Sequence, residues 1–276
     1  MASAKDGVAA GPLKAMVIPV RSVYRYGIDV NSHDLVKVMA ILTMVIDHTG
    51  KFFVDDNVWF RLVGRMAAGL FFFLVGYSGS YRFKLQILVL GIALWTIEIL
   101  TSTAPTLFER MLPVNILISF VLIKAILDRF DPAEMRTESL LILLGILMVL
   151  SLPTYLVLEY GTLGLSYAIG ARLLRQRHPL GRSWICATVG IHFLFETVGL
   201  LIWNSDVSVH VLLFAIPLLG ILFTVNLATF LNYKFRTFRV EPRWMRMLLV
   251  YVSRYSLQIY FFHLAAFMIV YRIILR

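Results

Sequence analysis

The sequence predicts an all-α fold: a polytopic integral membrane helix bundle of about nine transmembrane helices with its N-terminus inside. Three observations predict it. Of 276 residues, 59% are apolar and only 15% charged. The mean hydropathy of +0.81 is far above that of a soluble domain. The apolar residues also come in runs of about 20, the length that crosses a bilayer as a helix.

Taken in chain order, residues 1–33 mix Gly, Ala and Pro with scattered Lys and Arg. The apolar run Ala15 to Val20 is too short for the core of a cleaved signal peptide. This stretch is expected to be a cytoplasmic tail, partly disordered or lying on the membrane surface. Residues 34–276 then form one transmembrane domain. Apolar runs bounded by charges or by Gly and Pro place spans at 35–54, 58–79, 85–102, 112–128, 138–155, 159–174, 184–203, 209–231 and 247–273. No repeat is evident and no loop is long enough for a soluble domain, so whatever the protein does, it does in or at the bilayer. The bilayer is its first expected partner.

The net charge of +10 raises the question of nucleic acid. Its basic residues, however, sit in short loops beside apolar runs, and most fall on the N-terminal side and in alternate loops. That asymmetry is the positive-inside pattern; it places the C-terminus outside and predicts no nucleic-acid binding. The single cysteine, Cys186, excludes an internal disulfide and reads as packing. Oligomeric state is not legible.

Function is sought where ionisable residues enter the spans, because a charge there costs about 2.5–3.5 kcal/mol on insertion scales and is kept for work or for pairing. The topology puts Asp47 and His48 at the outer end of the first span, Arg61 and Arg65 at the start of the second and Glu98 near the end of the third. Asn115 begins the fourth, Glu159 and Tyr160 the sixth, His192 and Glu196 sit in the seventh, and His263 in the last. One polar cavity open toward the outer leaflet is expected. Arg61 and Arg65, four apart, share a helical face and can clamp a phosphate or balance Asp47 and a glutamate such as Glu98. His48 suits a general base whose tautomer a carboxylate sets, with His263 as the rival. His192 and Glu196 have i,i+4 spacing but lack a third ligand on their face, so no metal is expected.

Asp47-His48-x-Gly50, then Arg61-Leu-Val-Gly-Arg65-Met-Ala-Ala-Gly-Leu-Phe-Phe-Phe, then Glu159-Tyr-Gly-Thr-Leu-Gly164 resembles the TraX family, known for amino-terminal acetylation of conjugative pilin. Tyr255-Ser-Leu-Gln-Ile-Tyr-Phe-Phe-His263-Leu is similar to the last-helix signature of that family and of the wider membrane acyltransferase type three superfamily. The chain departs from the family pattern at Ala68-Gly69, where Phe-Pro is usual, and at Gly76-Tyr77-Ser78. The resemblance implies acyl transfer in a bacterial inner membrane, from acetyl-coenzyme A supplied from the cytoplasm to an amine or hydroxyl near the outer face. The acceptor would be a pilin terminus, a glycan or a small metabolite. In that reading His48, Asp47, Arg61, Arg65, His263 and Glu98 carry the chemistry. Arg82, Lys84, Tyr255 and Gln258 meet the donor, and Asn115, Glu159, Tyr160 and Glu196 the acceptor. Two other readings stand beside it. Buried Asp, His, Arg and Glu also build the relays of a proton-coupled transporter or flippase, although no internal repeat and no pair of broken helices is visible in the sequence. A non-catalytic membrane subunit of a conjugation or secretion assembly is the third.

Overall fold

The computed structural model describes residues 29–54, 57–80, 85–203 and 208–275. It is a helical bundle: α1 (Ser32–Phe53), α2 (Val58–Tyr77), α3 (Leu85–Thr101), α4 (Leu107–Met111), α5 (Ile116–Arg129), α6 (Thr137–Tyr155), α7 (Gly161–Arg175), α8 (Gly181–Trp203), α9 (Val209–Leu231), α10 (Arg243–Arg254) and α11 (Ser256–Val270), closed by a π-helical turn at Tyr271–Leu275. The strand pair is two residues long, β1 (Val30–Asn31) antiparallel to β2 (Thr237–Phe238).

Asparagines start three of the inward-facing helices. Asn31 forms a capping box with Asp34, the Asn57 side chain accepts from Trp59 N–H, and Asn115 accepts from Leu117 and Ile118. Each satisfies backbone donors that the first turn of a helix leaves without a partner. Helix α2 is the centre, packed against α1, α5, α7 and α9. Its Phe72 and Phe73, with Tyr167 and Trp184, are among the largest fully buried side chains. A Cβ at Gly76 would run into the backbone of Ala168, so the α2–α7 approach depends on that glycine. Helices α3, α6 and α9 turn Val89, Ile146 and Phe214 outward, an apolar belt that suits lipid and no aqueous surface.

Among the described residues five helices are long and apolar enough to cross a membrane: Val58–Tyr77, Thr137–Tyr155, Gly181–Ile202, Val209–Leu231 and Ser256–Ile273; Leu85–Thr101 is apolar but shorter. Helix α1 carries Asp34, Lys37, Asp47 and Lys51 along its length, and α5 and α7, with 14 and 15 residues, are shorter than a full crossing. Of the nine expected spans, five thus meet both length and apolarity among the described residues.

Two expected spans are corrected. The run 247–273 is two helices, not one. α10 ends at Arg254 and α11 restarts at Ser256, where Ser253 donates its hydroxyl to Asp34 of α1 and ties the break to the bundle. At about 1.5 Å per residue, α10 is too short to cross, and it carries Trp244, Leu248 and Tyr251 exposed. The run 112–128 becomes helical only at Ile116. Before it, Val114 pairs in parallel with Leu158, with Val114 N–H donating to Val157 and Glu159 N–H to Val114. Asn115 reaches the Gly91 carbonyl, six residues into α3 and therefore about 9 Å along that helix. Two stretches of irregular backbone thus meet at membrane depth and satisfy each other, the condition under which such backbone survives there.

Candidate functional site

The tight junction of α1 and α2 builds the site. Gly64 faces Asp47 so closely that a Cβ would overlap its carboxylate. Asp47 Oδ2 accepts from Arg61 Nη1 at 2.9 Å, while Oδ1 is buried with no hydrogen-bond partner among the described residues. The same Oδ2 lies 3.9 Å from His48 Nε2, so the neighbouring aspartate does reach the histidine.

The other side of His48 meets α11. His48 Nδ1 and His263 Nε2 are 2.8 Å apart, with the rings stacked at 5.1 Å. The two residues weighed as rival bases are one hydrogen-bonded pair. The tautomers follow from the next partner along: His263 Nδ1 is 2.8 Å from the Ile259 carbonyl, which can only accept. In the neutral pair, His263 Nδ1 therefore carries hydrogen and its Nε2 accepts from His48 Nδ1–H. This assignment leaves the lone pair on His48 Nε2. A proton taken there creates an imidazolium facing the Asp47 carboxylate.

His48 lines a cavity at one end of the bundle together with Lys51, Glu98, Asn115, Glu159, Arg110 and Arg272; its volume, counted to the open mouth, is about 1190 Å³. Glu159 Oε2 accepts from Ile116 N–H at 2.8 Å, and Asn115 Nδ2 lies 3.5 Å from Glu98 Oε2. Expected site residues from four separate spans are thus gathered around His48.

The single cavity expected from sequence is two. Arg61, Arg65, Tyr155, His192 and Glu196 line a neighbouring one between α2, α6 and α8, on the far side of the Asp47–Arg61 pair. Arg65 Nε meets Glu196 Oε2 at 2.9 Å, not Asp47 or Glu98, because α8 faces it. Glu196 Oε1 is 3.5 Å from His192 Nε2, and His192 Nδ1 is 3.0 Å from the Tyr167 hydroxyl. Tyr160, held in the left-handed region at φ 63°, packs its ring on Phe72 and His192 and belongs to the wall, not the opening. Glu196 likewise serves this second network.

A third cavity opens at the opposite end of the bundle. It is lined by His33 and Lys37 of α1, Ser78 after α2, Gln86 of α3, Lys124 of α5, and Arg254, Gln258 and Tyr260 around the α10–α11 break. Gln258 lies here with its Oε1 buried and unbonded among the described residues. Tyr255 does not: it is 38% exposed and stacks on Tyr251 at 4.4 Å, turned outward by the helix break. Arg82 and Lys84 lie outside the described residues. Among those described, no group of three His, Cys, Asp or Glu side chains is arranged to hold a metal ion.

The sequence places Tyr260 beside His263 by its i,i+3 spacing but gives it no role of its own. The Tyr260 ring lies 6.3 Å from His48 and 5.9 Å from His263, edge-on to both, and it borders the third cavity. Lys37, Lys124 and Tyr167 are given no role either; each is an ordinary residue of its helix until the bundle closes.

The chain is similar to an uncharacterized protein of Rickettsia prowazekii (strain Madrid E), 36% identical over 92 residues, which is 33% of this chain and 35% of that protein. The match spans about a third of the relative's length. No solved structure matches. The model of the family described as TraX protein matches residues 32–271, from the first turn of α1 to the end of α11. The chain belongs to the TraX family.

Proposed function

We propose that this protein is a membrane-embedded acyltransferase that takes an acyl group, acetyl in the first instance, from acyl-coenzyme A and passes it to an amine or hydroxyl on the other side of the bilayer. The observation that carries the reading is the His48–His263 pair: His48 lines the cavity at one end of the bundle, and Tyr260, edge-on to both rings, lines the cavity at the other. Membership of the TraX family supports it, and so does the asymmetry of the two openings. One holds Lys37, Lys124 and Arg254, cations suited to the phosphates of the donor. The other holds His48 beside Glu98 and Glu159, a polar chamber for the acceptor. With the N-terminus inside, as the loop charges favour, the donor cavity faces the cytoplasm and the acceptor chamber the far side of a bacterial inner membrane.

In this mechanism the acceptor hydrogen bonds to His48 Nε2, the nitrogen left basic by the His263–Ile259 hydrogen bond. As the acceptor nitrogen or oxygen attacks the thioester carbonyl, its proton moves to Nε2. The new C–N or C–O bond forms, the C–S bond breaks, and the departing thiolate takes the proton to leave as free coenzyme A. Asp47 stabilises the imidazolium between those events, and Arg61 holds Asp47 in place. Arg65 acts at a distance by fixing α2 against α8. The acceptor, a pilin terminus by family analogy or else a glycan or small metabolite, enters past Glu98, Asn115 and Glu159.

The test is release of coenzyme A thiol by purified protein given acetyl-coenzyme A, with and without membrane extract from its host, beside His48→Ala. Release that needs the extract and vanishes in the variant supports the reading. Neither release nor binding of acetyl-coenzyme A would overturn it. The result would then favour a proton-coupled transporter, for which the paired irregular segments around Val114 and Leu158 are the specific observation.

A further inference from the structure

We infer that Tyr260 is the partition between the two opposed cavities, and that its ring limits what crosses from donor to acceptor side to a short acyl group. The inference rests on the acyl-transfer reading for its second half only. Tyr260 is 6% exposed and borders the cavity that holds Lys37 and Lys124, while the edges of its ring meet His48 and His263. His48 in turn lines the opposite cavity, beside Glu98 and Glu159. One side chain therefore stands between the lining of one chamber and His48 in the lining of the other.

The rest of the partition is the first turn of α5: Asn115 borders one chamber, and Leu117, two residues on, borders the other. Backbone cannot yield there, since Asn115, Ile116 and Glu159 are tied by the hydrogen bonds described above. The aromatic ring is the part of the wall that a side-chain rotation can move. A wall one ring thick suits a two-carbon group held against His48, whereas each further methylene of a longer chain would have to occupy the space the ring fills.

Two measurements test this. In a Cys186→Ser background, Thr101→Cys puts a thiol in the His48 chamber. A small, charged, membrane-impermeant methanethiosulfonate should label it from one side of sealed vesicles only. Adding Tyr260→Ala, or Tyr260→Leu should the alanine variant fail to purify as a single species, should open labelling from both sides. One-sided labelling in the folded variants would overturn the partition. The second measurement compares transfer from acetyl- and butyryl-coenzyme A. A methylene in a closed pocket is worth about 10- to 200-fold in discrimination. Tyr260→Ala should therefore raise the butyryl-to-acetyl ratio of kcat/KM by at least about tenfold, and Tyr260→Phe, which keeps the ring, should not. An unchanged ratio in Tyr260→Ala would overturn the size limit. If the unsubstituted protein transfers neither acyl group, the acyltransferase reading falls, and the labelling result still decides the partition by itself.

Discussion

Two histidines, each hydrogen-bonded to a second ring-bearing side chain, sit one on either side of the Asp47–Arg61 pair, and they are built for opposite ends. His192 is 1% exposed. Its Nδ1 accepts from the Tyr167 hydroxyl and its Nε2 is directed at Glu196, which is itself held by Arg65. His192 Nδ1 is thus spent, and its Nε2, 3.5 Å from Glu196 Oε1, makes no hydrogen bond among the described residues but faces a carboxylate. His48 spends one nitrogen on His263 and leaves the other at the wall of an open chamber. The lesson is that burial and hydrogen bonding do not by themselves mark a reactive histidine; an unspent lone pair facing a space large enough for a substrate does.

The sharpest way to break this contrast is to remove each ring. His48→Ala should lose transfer by about 10²- to 10⁴-fold, the usual worth of a general base, and still elute from size exclusion in detergent as the parent does. A fully active His48→Ala would remove the base from His48. On the His192 side the loss should be in folding. Arg65→Ala leaves Glu196 buried without its cation, a change that costs about 3–5 kcal/mol, read as a fall in the detergent unfolding midpoint. Replacing Arg65 and Glu196 together by Met should recover much of that stability, because no charge is then stranded. If the double variant is no better than Arg65→Ala, the pair is not what holds α2 against α8.

This division was only half legible in the sequence. Composition and apolar runs identify the helical membrane bundle, and the i,i+4 spacing of Arg61 and Arg65 places them on one face. Spacing cannot say that the two arginines part company, Arg61 turning to α1 and Arg65 to α8, since that depends on which helices flank α2. Hydropathy reads through Tyr255 because the residues on both sides are apolar, and the break there is set by a long-range contact, Ser253 to Asp34. Likewise, the helices that begin at Ile116 and Gly161 are shortened by pairing across 44 positions of sequence, Val114 with Leu158. What local pattern records is local; the junction of His48 with His263, 215 residues apart, is not.

A finer cut within the His192 network is Tyr167→Phe. It takes away the hydroxyl that satisfies His192 Nδ1 while keeping the ring against Phe230. Leaving that nitrogen unpaired should cost about 1–3 kcal/mol, with transfer per folded molecule unchanged. A loss of rate without a loss of stability would instead draw His192 into the chemistry and dissolve the contrast with His48.

The smallest effect comes from another arginine–carboxylate pair, at the loop that follows α5. Arg172 Nη2 meets Asp131 Oδ2 at 2.7 Å, as close as Arg65 meets Glu196 and with similar side-chain exposure, but at the loop after α5 and not among the ionisable groups between α2 and α8. Burial alone would raise the Asp131 carboxyl. The hydrogen bonds from Arg172, the Ala133 N–H and Gln176, with the Arg172 charge, outweigh it and hold the group below its ordinary range. A carboxylate depressed in the folded state contributes stability that is present above its unfolded pKa and lost as pH falls through the folded one. The contribution should therefore be constant near neutrality and disappear only in acid, below about pH 4. Because solvent screens it, Asp131→Asn should cost no more than about 1 kcal/mol at pH 7, and the difference from the parent should close as pH falls. Equal costs for Asp131→Asn and Arg65→Ala would mean that distance, and not position in the bundle, sets the strength of the two pairs.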